Sequence, residues 1–330
     1  MDVNLENWFK PNIEKKDLKE LSRRRDGPGL FHFFIYFLAL IVSGYLAYIT
    51  WGTWWAVLWF FIYGTIYTFS VANWHETVHR TAFKTRWINE IFYHISSFMC
   101  DFEGFRWRWS HTFHHTYTLQ TEGDYDHEIQ VSRPTELVWF FLNFVPFSDL
   151  LFPHRLIKFE VLKHAFGFFS PVVQITAPEK QKSKILWNSR LYVLIWFVVI
   201  MISIVYGTIL PILYIILPLY YGKPIWFTVN VTQHLGAALD KKDHRLSTYS
   251  VRINPILSFL YWHMEYHLEH HMFPTVPSYN LRKLQNIIID QIPKPFPNLF
   301  SFYKQVLPVV IKQATNPADY FKTNIPGKVK

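Results

Sequence analysis

The chain has 330 residues and a formal net charge of +9; 50% of the residues are hydrophobic and 19% aromatic. The apolar residues collect in long uncharged blocks with polar sequence between them, a membrane pattern that excludes an ordinary soluble domain. The single cysteine, Cys100, excludes an intrachain disulfide and any CxxC pair for a rubredoxin-type iron or a structural zinc, and no nucleic-acid-binding motif accompanies the basic balance.

Residues 1–30 are polar and charged, contain the run Arg23-Arg24-Arg25, and end in Asp26-Gly27-Pro28-Gly29. They read as a cytosolic leader lying on the membrane. No cleavable signal sequence is expected, because the first apolar block runs on into further apolar sequence. Residues 31–50 carry no charge. At about 1.5 Å per residue they cover about 30 Å, the thickness of the hydrocarbon core, and so predict a first transmembrane helix. Trp51-Gly52-Thr53 predicts a tight turn and residues 54–71 a second span, continued by a helix that carries His75 and His79. Within residues 72–190, the stretches 87–99 and 137–152 are apolar on one side but too short or too interrupted to cross. Residues 191–206 predict a third span, Gly207-Thr208 a turn, and residues 209 to about 230 a fourth span made irregular by Pro211, Pro218 and Pro224. Residues 231–330 join residues 72–190 in a helical cap.

There is no Lys or Arg between Arg25 and Arg80, and none between Arg190 and Lys223. Both predicted outer turns are therefore free of positive charge, which places all 33 basic residues on the cytosolic side or its interface. The expected fold is one all-α integral membrane domain over residues 1–330. It has four transmembrane helices in two hairpins, a cytosolic helical cap, and both termini in the cytosol.

Three histidine clusters fall in the cap. His75 and His79 stand in HETVH; His111, His114 and His115 stand in HTFHH; His267, His270 and His271 stand in HLEHH. On a helix, residues three and four apart share a face, so each cluster offers a row of imidazoles to a metal. A lone histidine is most often an ordinary core or surface residue, and His32, His94, His127, His154 and His164 are read so. HETVH alone also matches a zinc metalloprotease motif with Glu76 as general base, but a protease leaves the other two clusters unexplained. Imidazole suits iron, zinc, copper and nickel alike, so ligand type does not choose the metal.

The set HETVH, HTFHH and HLEHH, with hydrophobic hairpins between, resembles the membrane fatty acid desaturase and hydroxylase superfamily over residues 54–277. The resemblance implies a di-iron enzyme that uses dioxygen and two electrons to attack an unactivated C–H bond. It implies the eight cluster histidines as iron ligands, and His234, at the inner end of the fourth span, as a ninth. The second nitrogen of each ligating ring needs a carboxylate or carbonyl partner, and Glu76, Asp101, Glu103, Asp124, Asp126, Glu265 and Glu269 are placed to serve. His263 and His244 are candidates for metal or substrate contact. Arg106, Trp107, Arg108 and Trp109 either meet phosphate headgroups or anchor the cap.

The expected activity is desaturation of a fatty acyl chain. Hydroxylation of a lipid, alkane, carotenoid or other small apolar molecule is the alternative on the same scaffold, and a zinc membrane protease is a remote one. Electrons are expected from a separate ferredoxin, rubredoxin or cytochrome b5 with its reductase. A bacterial inner membrane is favoured slightly over the endoplasmic reticulum, since no cytochrome-b5-like stretch is present.

Overall fold

The computed structural model describes residues 8–134, 136–316 and 318–326. The first seven residues of the expected leader and the last four of the cap lie outside the described residues. Among those described, every named element is helical, and the only β pairing is an isolated bridge between Val251 and Phe296. Three helical segments are long and apolar enough to cross a membrane: Lys15–Ile49, Trp54–Val78 and Glu179–Val205.

The chain forms two compact units. One is drawn from Asp26–His111 and Phe141–Thr228. In it the helix Asp26–Ile49 buries Phe33, Tyr36, Leu40 and Ala47 while exposing Phe31, Phe34, Leu38, Ile41 and Tyr45. A helix apolar on both its packed and its exposed faces is built for a hydrocarbon solvent. The chain turns at Gly52, whose φ of +87° is open to glycine without strain, and returns as Trp54–Thr68. After a break at Phe69 it continues as Ser70–Val78, which packs on Arg86–Met99. The helix Glu179–Val205 starts well before the expected residue 191, because its charged first turns extend an apolar second half.

The expected fourth span is not one helix. It consists of Leu210–Ile215, Pro218–Tyr221 and Lys223–Asn230, each with a proline in its first two positions. Proline has no N–H to donate to the preceding turn, so each one restarts the helix. Tyrosine hydroxyls take up carbonyls around the first break: Tyr221 donates to Leu213 O (2.8 Å), Tyr63 to Tyr214 O (3.0 Å) and Tyr67 to Ile215 O (3.4 Å). These hydroxyls supply partners to backbone groups that the interrupted helix leaves unpaired.

The other unit is drawn from Met1–Arg25, Thr112–Phe140 and Val229–Lys330. Its core is apolar on the inner faces of Ser278–Ile288 (Leu281, Leu284, Ile288) and Leu299–Gln313 (Phe302, Val306, Val310), with Leu235 and Leu268. Lys15–Leu21 and His267–Met272 both pack on Ser278–Ile288.

Candidate metal centre

His75 lies on Ser70–Val78 and His79 is the residue that ends that helix. The end is fixed by side chains that take up its last carbonyls. Asn89 Nδ2 donates to Thr77 O (2.8 Å) and Thr81 Oγ1 to Glu76 O (3.0 Å), while Arg80 leaves in the left-handed region at φ +59°. His111 is presented by the helix Gly104–Thr116. Glu103 caps this helix by accepting from the backbone N–H groups of Arg106 (2.7 Å) and Phe105 (3.2 Å). His79 Nε2 and His111 Nε2 are 3.0 Å apart, and the His75 and His111 ring centroids are 4.6 Å apart. Three rings of the first unit therefore converge.

In the second unit four buried histidines, His114, His234, His267 and His271, bring one ring nitrogen each to within 4.8 Å of all the others. His267 Nε2 stands 3.1 Å from His234 Nε2 and 3.0 Å from His271 Nε2. The protons can be assigned from the outer partners. His234 Nδ1–H donates to Ser247 O (2.7 Å), so its Nε2 carries the lone pair. Thr118 Oγ1 donates to His114 O (2.7 Å), so it accepts from His271 Nδ1–H (3.2 Å), and His271 Nε2 carries a lone pair too. His114 Nδ1–H donates to Asp126 Oδ1 (3.0 Å).

Two lone pairs, on His234 Nε2 and His271 Nε2, thus both face His267 Nε2 at about 3 Å, and a cation among the three nitrogens would satisfy them together, whereas one His267 N–H could be given fully to only one of them. Two ring nitrogens each about 2.1 Å from one ion, at right angles, stand about 3.0 Å apart. The observed separations match, so the residues present fit a divalent transition metal. Burial pushes His234 down to about 4 and His271 well below the usual imidazole range, which keeps both rings neutral for ligation. Burial also lowers His114, but the Glu128 and Asp126 carboxylates outweigh it and raise that ring to about 9. His114 is thus a ring held between two negative charges. His115 and His270 meet edge to face with centroids 4.9 Å apart, and His115 stacks on His271 at 4.1 Å.

The seven acidic candidates divide. Asp126 supports His114 and also accepts from Leu119 N (2.7 Å), which folds the loop back under the ring. Glu269 is buried between Ser250 Oγ (2.6 Å) and Gln285 Nε2 (2.6 Å). Glu76 is buried on the helix of His75. The rest are engaged elsewhere or exposed. Asp101 pairs with Lys158, Glu103 caps its helix, Asp124 is exposed in a turn, and Glu265 bonds Ser258. Sequence proximity to a histidine does not fix which way a carboxylate points. His263 lies with Glu265 on the wall of a pocket of about 530 Å³, outside both histidine groups. His244 stacks on Trp8 at 4.4 Å with its ring 5.3 Å from His271, and burial lowers it to about 3. Arg106 pairs with Glu160 (3.0 Å) and Arg108 with Glu90 (2.9 Å), which makes both anchors of the fold.

Three residues of the site escaped sequence reading. Thr118 is four residues after His114 and continues its helical face, a usable signal. Glu128 is two after Asp126 and resembles any surface acid. Ser247 contributes a backbone carbonyl, which no sequence pattern marks.

The family model described as Fatty acid desaturase matches residues 52–303. No curated protein matches the chain.

Proposed function

The chain belongs to the fatty acid desaturase family, and from that membership and its histidine geometry we propose that it desaturates a fatty acyl chain at a membrane, using dioxygen at a di-iron centre. Membership itself implies an oxidoreductase that acts on lipid in association with a membrane. The observation that carries the finer reading is the buried four-histidine set, with outer hydrogen bonds that turn the lone pairs of His234 Nε2 and His271 Nε2 inward, toward His267 Nε2.

The proposed ligands are His75, His79, His111, His114, His115, His234, His267, His270 and His271. When bound, the two iron ions would supply activation of dioxygen for attack on an unactivated C–H bond. The chain's own residues hold the rings: Asp126, the Ser247 carbonyl and Thr118 orient three of them, and burial keeps His234 and His271 neutral. Over one turnover two hydrogens leave adjacent carbons. An external carrier (a ferredoxin, a rubredoxin or a cytochrome b5) gives two electrons, solvent gives two protons, and dioxygen leaves as two waters.

The proposed topology has four crossings, with the histidine-bearing segments and both termini in the cytosol. Parity supports it. His114 precedes Glu179–Val205 in the chain and His234 follows it, yet their rings are 4.9 Å apart within one unit. A return of the chain across the membrane by the broken segment 209–230 would give the even number of crossings that this proximity favours.

The test is a mass-spectrometric profile of lipids and hydrocarbons from cells expressing the chain with a supplied electron donor, against His270→Ala. Products two hydrogens lighter, absent from the variant, are expected. Products heavier by one oxygen would replace desaturation with hydroxylation, and identical profiles would overturn the reading.

A further inference from the structure

We propose that Glu128 is a carboxylate ligand of the ion held by His114, His234, His267 and His271, which makes that half of the centre a mixed imidazole–carboxylate site. This rests on the metal-binding reading above and adds a residue that the histidine pattern does not contain.

The geometry is local to one loop. Glu128 Oε2 stands 3.6 Å from His114 Nε2, the nitrogen on the opposite side of the ring from Asp126. Bonds of about 2.1 Å to one ion, at angles between a right angle and about 120°, put two donor atoms about 3.0–3.6 Å apart. Glu128 is therefore at the distance of a neighbouring ligand. Its position is built in. Asp126 Oδ1 accepts both from His114 Nδ1–H (3.0 Å) and from the backbone N–H of Glu128 (2.9 Å). The Glu128 carbonyl accepts from Ser132 N (3.2 Å) and Ser132 Oγ (3.2 Å), which anchors it at the start of Ile129–Ser132. One carboxylate thus orients the ring and presents a second carboxylate to the ring's other face.

The chemistry agrees. With Nδ1–H given to Asp126, Nε2 is the atom of His114 that faces Glu128 Oε2 at 3.6 Å, and positive charge between the two holds them together, a proton in the ion-free ring and an ion in the loaded one. A metal ion shared by both atoms supplies that charge. Oxygen is a usual iron donor beside imidazole. The four histidines are 1–4% exposed and the Glu128 side chain 33%, so the carboxylate is the solvent-facing member of the set. It also places one negative charge on an otherwise neutral ligand set, which favours the higher oxidation state of that ion.

The experiment compares wild type, Glu128→Gln and Glu128→Asp in detergent or nanodiscs, loaded with ferrous iron. It reads iron stoichiometry, affinity by chelator competition, and Mössbauer spectra. In Glu128→Gln one of two ions is expected to bind at least about tenfold more weakly and to show an altered Mössbauer signal, while the other keeps its own. Glu128→Asp retains the charge but withdraws it by a methylene, and should weaken the same ion to a smaller extent. Glu122→Gln, on an exposed neighbour, should match wild type. Wild-type affinity and spectra in both Glu128 variants would overturn the proposal and leave Glu128 an ion-pair partner of His114. If Glu128→Gln fails to fold, the Asp variant decides by the same readings. Wild type that takes up no iron would sink the metal reading itself, a result distinct from any difference between variants.

Discussion

Thr118 serves two histidines with one oxygen. Its proton goes to the His114 carbonyl, so its lone pair is what remains for His271 Nδ1–H. Valine has the same shape without either bond, and would leave His271 free to carry its proton on the inward nitrogen. Thr118→Val is therefore expected to weaken one iron by about tenfold to a hundredfold, as loss of an outer partner does, while Thr118→Ser keeps it. Chelator competition measures both, and a Val variant with wild-type affinity would show that the tautomer is set by other means. The histidines of the two groups were legible because metal-ligand chemistry restricts both residue type and spacing. Their partners were legible only in part. Asp126 is an acid near a histidine, but so are Asp101 and Asp124, and the backbone conformation sends those to Lys158 and to solvent.

Helices carry the site, and their ends decide where it points. Glu103 caps Gly104–Thr116 from a buried position, and burial raises its carboxyl to about 7 against backbone N–H bonds that lower it. Between its ordinary value near 4.5 and about 7 the folded chain holds the proton and the unfolded chain does not. Stability from this group is present at the acid end of that window and is lost as pH rises through it. At about 1.4 kcal/mol per unit the loss is roughly 3 kcal/mol. Wild type should melt lower at pH 8 than at pH 5, and Glu103→Gln should flatten the difference; an unchanged slope in the variant would assign it to other groups. A second element-level constraint is the approach of Trp54–Thr68 to Pro218–Tyr221. A Cβ on Gly222 would lie 1.9 Å from the Gly64 carbonyl carbon, and backbone cannot yield as a side chain does. Gly222→Ala should cost at least about 1–3 kcal/mol, read as a lower melting temperature. Gly64→Ala meets the buried Tyr221 ring at 2.1 Å, a ring tied by its hydroxyl to Leu213 O, and should lower the melting temperature as well. The helices themselves were legible from apolar periodicity and length. The breaks in segment 209–230 were legible as prolines, but not as three separate helices, because the tyrosine hydroxyls that stabilise the break come from distant parts of the chain.

At the scale of the whole molecule, the proposed topology turns on segment 209–230. Three helices meet the length and hydropathy of a span, and this segment does not form a fourth continuous one. With three crossings the C-terminal histidines would lie across the membrane from His114. With four, all the proposed ligands share the cytosolic side, which the absence of Lys and Arg from residues 26–79 and 191–222 also favours. Single cysteines distinguish the two, since the native Cys100 is buried and should stay silent to a membrane-impermeant maleimide. Thr53 and Tyr206 are exposed beside the two turns, and replacing them avoids the positive φ of Gly52 and Gly207. Thr53→Cys and Tyr206→Cys should label in intact cells, and Lys304→Cys, exposed in the C-terminal region, only after permeabilisation. Labelling of Lys304→Cys together with Tyr206→Cys from outside would mean that the broken segment does not return. The four-histidine set could not then assemble in a membrane-inserted chain, and a centre built from all nine histidines would fall with it.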